Sequence, residues 1–318
     1  MTMKEEAMVV GIDVSKQHLD VGLHPVGLVR RVGNDHDGLT EAVDWLSGHA
    51  VALVVMEATG RLHELAAQVL RAAGLPVAVV NPGRVRHFAR AKGHLAKTDR
   101  IDALVLGEYG AVMKPTPGQA RDMQTTALAA LVLRRRQLVT FLATERHRLE
   151  SIPPHARDTV MLETFQDVMA GLQRQISAIE RRIDDLITGT EGFREQDALL
   201  RSVPGVGPVL SQTLIAEVPE LGSLTRRQIA SLVGLAPISR DSGTFRGQRS
   251  IHGGRSQVRR TLYMAAIAAI RCNPKIRAFH QRLIQEGKRP KVAITAAMRK
   301  MLVILNAIAR DNRPWQTA

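Results

Sequence analysis

Residues 8–31 read MVVGIDVSKQHLDVGLHPVGLVRR. The first seven form an apolar run ending in the polar turn SKQ, and residues 18–31 read as two further strands around a Pro/Gly turn. Working outward, residues 38–48 have helical spacing, 51–56 (VALVVM) form a buried strand, 61–74 a helix and 76–80 (PVAVV) another strand. Three β-rich segments followed by helix, strand, helix and strand predict an α/β domain with a mixed sheet over residues 1–113.

The next stretch, 114–198, has a different pattern. Leu162, Phe165, Met169, Leu172, Ile176, Ile179, Ile183 and Leu186 recur at spacings of three and four, a seam of about four heptads. Leu128, Leu131, Leu138, Leu142 and Leu149 make a less regular seam upstream, interrupted by Arg135 and Glu145, and Pro153 and Pro154 separate the two. A long helical hairpin, or a coiled coil between subunits, is expected. Residues 199–318 read as helical with two Gly-rich interruptions.

The 318 residues carry a formal charge of +14, and its distribution matters more than its size. Residues 1–113 have 12 basic and 13 acidic side chains, 114–198 have 12 of each, and 199–318 have 20 against 5. The last segment is therefore the expected polyanion-binding part. A single cysteine excludes an intramolecular disulfide framework and a Cys-cluster metal site. No run approaches the roughly 20 uninterrupted apolar residues of a membrane span, and Glu5 and Glu6 argue against a signal peptide. The expectation is a cytoplasmic, nucleoid-associated protein with no membrane partner.

Four carboxylates of the first segment stand where chemistry would need them. Asp13 ends the first strand in GIDVSK, Glu57 follows the buried strand in MEATG, and Asp99 and Asp102 lie three apart in KTDRIDA at a helix start. Converging carboxylates need a cation, and hard oxygen donors suit Mg²⁺ or Mn²⁺. Two such ions clamp the attacking and leaving oxygens of a phosphodiester. The ordinary alternative makes each acid a turn or helix cap.

In the basic segment, LLRSVPGVGPVLSQTLIAEV (199–218) reads as helix–hairpin–helix, with Gly205, Val206 and Gly207 forming a turn whose amides would meet a phosphate. Farther on, Arg240, Arg246, Arg249, Arg255, Arg259 and Arg260 fall within about twenty residues of a Gly-rich loop. Ser242 lies inside it. A serine attacking phosphate must lose its proton, and charge building on the phosphoryl oxygens must be stabilised, which guanidiniums do. Spacing alone reads Ser242 as a turn or phosphate-contacting residue, with Ser239 and Ser250 its equals on chemistry.

Together GIDVSK, MEATG, KTDRIDA, PGVGPVLSQTLIAE and GLAPISRDSGTFRGQRSIHGGRSQVRRTLYMAA resemble the insertion-sequence one-ten family of transposases, the bridge-RNA-guided serine recombinases. The resemblance covers nearly the whole chain. It implies a RuvC-like (RNase H-like) N-terminal domain in which Asp13, Glu57, Asp99 and Asp102 bind Mg²⁺. It implies a helical oligomerisation segment and a mainly α C-terminal domain in which Ser242 forms a covalent phosphoserine link to DNA. It further implies a dimer or tetramer with a site composed from different subunits, and a structured noncoding guide (bridge) RNA that recognises donor and target DNA. Competing expectations are a hydrolytic RuvC-like nuclease such as a junction resolvase, and a non-catalytic nucleic-acid scaffold.

Overall fold

A computed structural model describes residues 7–60, 62–93, 98–118, 122–239, 241–247 and 249–316, with the side chain of Arg246 outside the description. The chain divides into two compact units, residues 1–121 and 122–318.

The first unit contains β1 (Met8–Val14), β2 (His18–His24), β3 (Leu28–Gly33), α1 (His36–Ser47), β4 (Val51–Glu57), α2 (His63–Ala72), β5 (Val77–Val80), α3 (Pro82–Ala91) and α4 (Asp99–Met113). The five strands form one mixed sheet in the order β3-β2-β1-β4-β5. The β1–β2 and β2–β3 pairs are antiparallel, and β1–β4 and β4–β5 are parallel. The apolar runs of β1, β4 and β5 are those of strands covered on both faces. Edge strand β3 instead exposes Arg30 and Arg31. One apolar layer joins the sheet to α1 and α2 through Leu39, Leu46, Ala66 and Leu70, and the other joins it to α3 and α4 through Val85, Val105, Leu106 and Tyr109. Phe88 and Tyr109 meet edge to face at 5.5 Å. The arrangement fits the RuvC-like α/β domain expected of the N-terminal part. Helix α3, opened by Asn81 accepting from the Gly83 amide, was not foreseen.

The second unit begins with the two longest helices, α5 (Met123–Ser151) and α6 (Thr159–Gly189), followed by α7 (Glu191–Arg201), α8 (Pro208–Glu217) and α9 (Arg226–Val233). Four two-residue strands come next, β6 (Pro237–Ile238), β7 (Asp241–Ser242), β8 (Phe245–Arg246) and β9 (Ser250–Ile251), and then α10 (Ser256–Cys272), α11 (Pro274–Gln285) and α12 (Pro290–Asp311). Helices α5 and α6 fold back on each other within the chain. Leu138 and Leu142 pack with Met169, Leu172 and Ile176, while Leu128 and Val132 share a core with Ile183 and Ile187, so the helices run antiparallel. Arg135 and Glu180 pair across them at 2.7 Å. The same core takes in α8, buried from Leu210 to Ala216, and the inner face of α12. α12 is long and apolar enough to cross a membrane by composition, but Ala297, Met301, Leu302 and Leu305 are fully covered by its own unit. Buried Asn306 ties this core together, accepting from the Gly222 amide at 2.9 Å and donating to the Leu224 carbonyl at 2.8 Å.

Candidate functional site

Strands β1 and β4 lie in parallel register with Ile12 opposite Met56, and both of those side chains enter the layer beneath α1 and α2. Alternation along a strand turns the next residues, Asp13 and Glu57, toward the face that α4 covers. Two glycines set the height of α4. Gly11 and Gly22 face each other across β1 and β2, and α4 rests on them. A Cβ on Gly11 would fall inside the van der Waals radii of the Ala103 carbonyl and the Gly107 amide. The Thr98 hydroxyl caps the helix by accepting from the Ile101 amide at 3.3 Å. Its first turn then presents Asp99 and Asp102 toward the end of β1.

The electrostatics of Asp13 report that gathering. Its carboxyl is held above the usual range, first by burial, then by the negative charges of Asp102 and Asp99, with Asp20 adding to the effect. A fifth carboxylate is thus present that sequence reasoning missed. Asp20 is buried and pairs directly with Asp13 across the β1–β2 hairpin. The signal was available: once 8–14 and 18–24 are read as a hairpin about SKQ, residues 13 and 20 are opposite each other. Arg31, opposite Asp20 on β3, donates to it twice at 3.0 and 2.8 Å and to Asp99 at 3.1 Å. His18 stands 3.9 Å from Asp20 and 3.8 Å from Asp99. His18, Asp20 and Asp99 are close enough to share an ion.

The chemistry of this donor set fits a divalent cation. Burial and the charges of Asp102 and Asp99 make Asp13 costly to ionise where it stands, and a hard cation bound beside it would remove that cost. Arg31 neutralises Asp20 and one oxygen of Asp99.

Ser242 occupies the opposite kind of setting. Strands β6 and β9 pair antiparallel, and β7 and β8 pair between them, so the loop is a two-stage hairpin. Ser242 faces Phe245 at its tip, across a turn in which Gly243 has φ +53°. Residues 241–245 are exposed, and the Ser242 side chain makes no hydrogen bond among the described residues. At the root of the loop Gly254 and Gly234 meet backbone to backbone, leaving no room for a Cβ on either, whereas Gly253 faces open space and is required only by its φ of +68°.

The arginines divide in two. Arg255 grips Glu220 through both terminal nitrogens at 2.6 Å, and Arg259 donates to the Val233 and Gly253 carbonyls at 2.9 and 2.6 Å. Arg249 and Arg260 are exposed, whereas Arg240 and the Arg246 side chain lie outside the described residues. In the α7–α8 turn, Gly205 (φ +99°) passes α10 so closely that a Cβ would sit 2.6 Å from Ala269 Cα. Val206 is buried, and Gly207 is the exposed member of the three.

Two family models match this chain. One described as a transposase of the DEDD type covers residues 10–153, and one described as the transposase IS116/IS110/IS902 family covers 197–281. The chain is 29% identical over 316 residues to the pilin gene-inverting protein of Moraxella bovis, spanning 96% of this chain and 97% of that one. It is 26% identical over 385 aligned positions to the insertion element IS110 uncharacterized 43.6 kDa protein of Streptomyces coelicolor, across 97% and 95% of the two. A solved structure of T. thermophilus RuvC with a Holliday junction substrate aligns at 16% identity and a TM-score of 0.28 over 36% of this chain and all of that one, which by itself decides nothing. With both models matched in order and full-length relatives of the same kind, the chain belongs to the IS110/IS116 family of transposases.

Proposed function

We propose that this chain cuts and rejoins DNA, with Ser242 as nucleophile and the Asp13 cluster as the metal-binding half of the site. The observation that carries the reading is the convergence of Asp13 with Asp99 and Asp102, which leaves Asp13 strained toward protonation until a cation is bound. Asp13, Glu57, Asp99 and Asp102 would hold Mg²⁺ or Mn²⁺. Such ions supply charge stabilisation at the attacking and leaving oxygens of a phosphodiester.

In the proposed step, Ser242 Oγ bonds to phosphorus as the ester bond to the leaving deoxyribose oxygen breaks. The serine proton is lost and the leaving oxygen gains one. One phosphoester replaces another, so a second strand's hydroxyl reverses the exchange and regenerates serine without net hydrolysis. Arg249 and Arg260, both exposed, would stabilise charge on the phosphoryl oxygens. Arg240 and Arg246 are proposed for the same task, and Arg255 and Arg259 would support it from the hairpin root. The amides of the Gly205–Gly207 turn would hold a flanking phosphate.

A serine side chain exposed on a hairpin tip, with no hydrogen bond among the described residues, supports a site completed by groups from elsewhere, such as another subunit. Exposed Phe141 and Val168 on the α5–α6 hairpin support a homo-oligomer, dimer or tetramer, joined there. The division into a metal domain (1–113), an oligomerisation segment (114–198) and a serine-bearing domain (199–318) belongs to this reading. So does recognition of donor and target DNA by a structured guide RNA in the cytoplasm, at the nucleoid. The relative named for pilin gene inversion supports rearrangement between two DNA sites as the outcome.

The test is covalent trapping. Wild-type protein with Mg²⁺, guide RNA and a donor duplex gives a denaturant-resistant protein–DNA adduct, and Ser242→Ala gives none. An adduct surviving in Ser242→Ala would place the nucleophile elsewhere. A second reading, a hydrolytic nuclease, is favoured by the carboxylate cluster lying entirely within one unit. It requires Ser242→Ala to keep releasing free strand ends.

A further inference from the structure

Helices α9, α11 and α12 carry nine lysines and arginines and a single acid, Asp311 at the last position of α12. Between them lies an open groove of about 690 Å³ lined by Arg226, Arg227, Phe279, Arg282, Arg299 and Lys300 over an apolar floor from α12. An adjoining depression continues it past Lys275. Among the described residues no acidic side chain lines either one.

Several other cations of this unit are neutralised. Arg255 is held by Glu220, Arg135 by Glu180 and Arg136 by Glu217. In the groove, Arg226, Arg227 and Arg299 have no acid partner among the described residues. Lys300 and Arg282 stand over the Phe279 ring, 4.4 and 5.4 Å from its centroid. An aromatic face fixes the position of a cation without cancelling its charge. Glu286 reaches Arg282 only at 3.6 Å with both side chains more than half exposed, where screening leaves such a pair little strength. Like charges held side by side raise the energy of the free protein, and a polyanion lowers it. Cations spread over three helices and an adjoining depression match a chain of phosphates better than one small anion.

Resting on the reading that the chain acts on nucleic acid, we propose that this groove is a second nucleic-acid-binding site that grips a phosphodiester backbone without reading bases. It shares no lining residue with the Ser242 hairpin or the Gly205–Gly207 turn. The hairpin would hold the strand being cut, and the groove a second stretch of backbone, from DNA or from a structured RNA.

The experiment measures binding of the full chain to a duplex DNA and to a hairpin RNA, both of arbitrary sequence, by fluorescence anisotropy across salt concentration. The variant Arg226→Gln/Arg227→Gln/Arg299→Gln/Lys300→Gln is compared with Arg146→Gln/Arg174→Gln/Arg181→Gln/Arg182→Gln, which removes equal charge from α5 and α6. On duplex DNA each lost phosphate contact lowers the log–log salt slope by about 0.9, so the groove variant loses up to about 3.6 units and on the order of 10- to 100-fold in affinity, while the control holds the wild-type slope. Loss on duplex alone assigns the groove to DNA, loss on RNA alone to RNA, and loss on both to the shared backbone. Groove and control variants behaving alike on both probes would overturn the proposal. Should the quadruple variant misfold, Arg226→Gln/Arg227→Gln, confined to the exposed first turn of α9, is expected to show about half the slope change. Adduct formation at Ser242 is scored separately, so either idea fails without the other.

Discussion

Asp13 and Ser242 are proposed to act on the same phosphodiester, yet their surroundings are built on opposite terms. Asp13 is fixed by a paired strand on either side, a helix seated on bare glycine backbone and three neighbouring carboxylates. Ser242 sits at the tip of a hairpin of two-residue strands, its side chain exposed and without a hydrogen bond among the described residues. A charge cluster must be held rigidly, because repulsion would otherwise disperse it. A nucleophile that meets a separate strand must be reachable, and the exposed hairpin tip supplies that reach.

The contrast breaks most completely if Ser242→Ala keeps activity. The expected result is complete loss of covalent adduct with a melting temperature within the error of wild type, since exposed side chains without partners contribute about 0.5 kcal/mol or less. Calorimetry beside the trapping gel reads both.

Glycine substitutions sharpen the same contrast. Gly11→Ala forces α4 off the sheet and is expected to destabilise the first unit by about 3 kcal/mol. Gly243→Ala meets open space and suffers only its positive φ, about 1 kcal/mol. Urea unfolding followed by limited proteolysis assigns each loss to its unit. Equal losses would mean that α4 does not depend on the bare strand.

A smaller effect is expected at Arg31. Arg31→Gln leaves buried Asp20 without its bidentate partner, so the melting temperature should fall, and saturating Mg²⁺ should recover part of the loss. No loss would show that the guanidinium is a bystander.

The smallest effect follows from Asp13 itself. A carboxyl whose pKa is raised by folding adds stability below its unfolded pKa and forfeits it as pH rises through the folded value. Asp13→Asn is therefore expected to melt above wild type at neutral pH without metal, with the gap closing as pH falls and wild-type Asp13 takes up its proton. Mg²⁺ should raise the melting temperature of wild type and not of the variant. A gap independent of pH would place its cause outside ionisation.

Much of this was legible along the chain. Apolar runs bounded by turn residues located the first-unit strands, and the seam from Leu162 to Leu186 announced α6, because burial on one face leaves a period in sequence. The alignment of Asp13 with Glu57 followed once their strands were taken as neighbours. Asp20 and Arg31 escaped notice because a lone acid and a lone base on alternating strands look like solvated residues until register sets them opposite. The groove escaped for a related reason. Arg226, Phe279 and Lys300 are far apart in sequence, and only packing brings them together.

What the sequence determined by itself was local and compositional: strand and helix periods, the placement of carboxylates at element ends, and a basic surplus confined to the last 120 residues. Tertiary structure decided how those charges are used. It tied the half-buried Arg255 and Arg259 into internal bonds, left Arg226, Arg227 and Arg299 facing a groove, and pressed α4 onto Gly11 so that Asp99 and Asp102 bear on Asp13. Charge is written in single residues, but whether a charge is neutralised, strained or offered to a ligand depends on neighbours that only folding supplies.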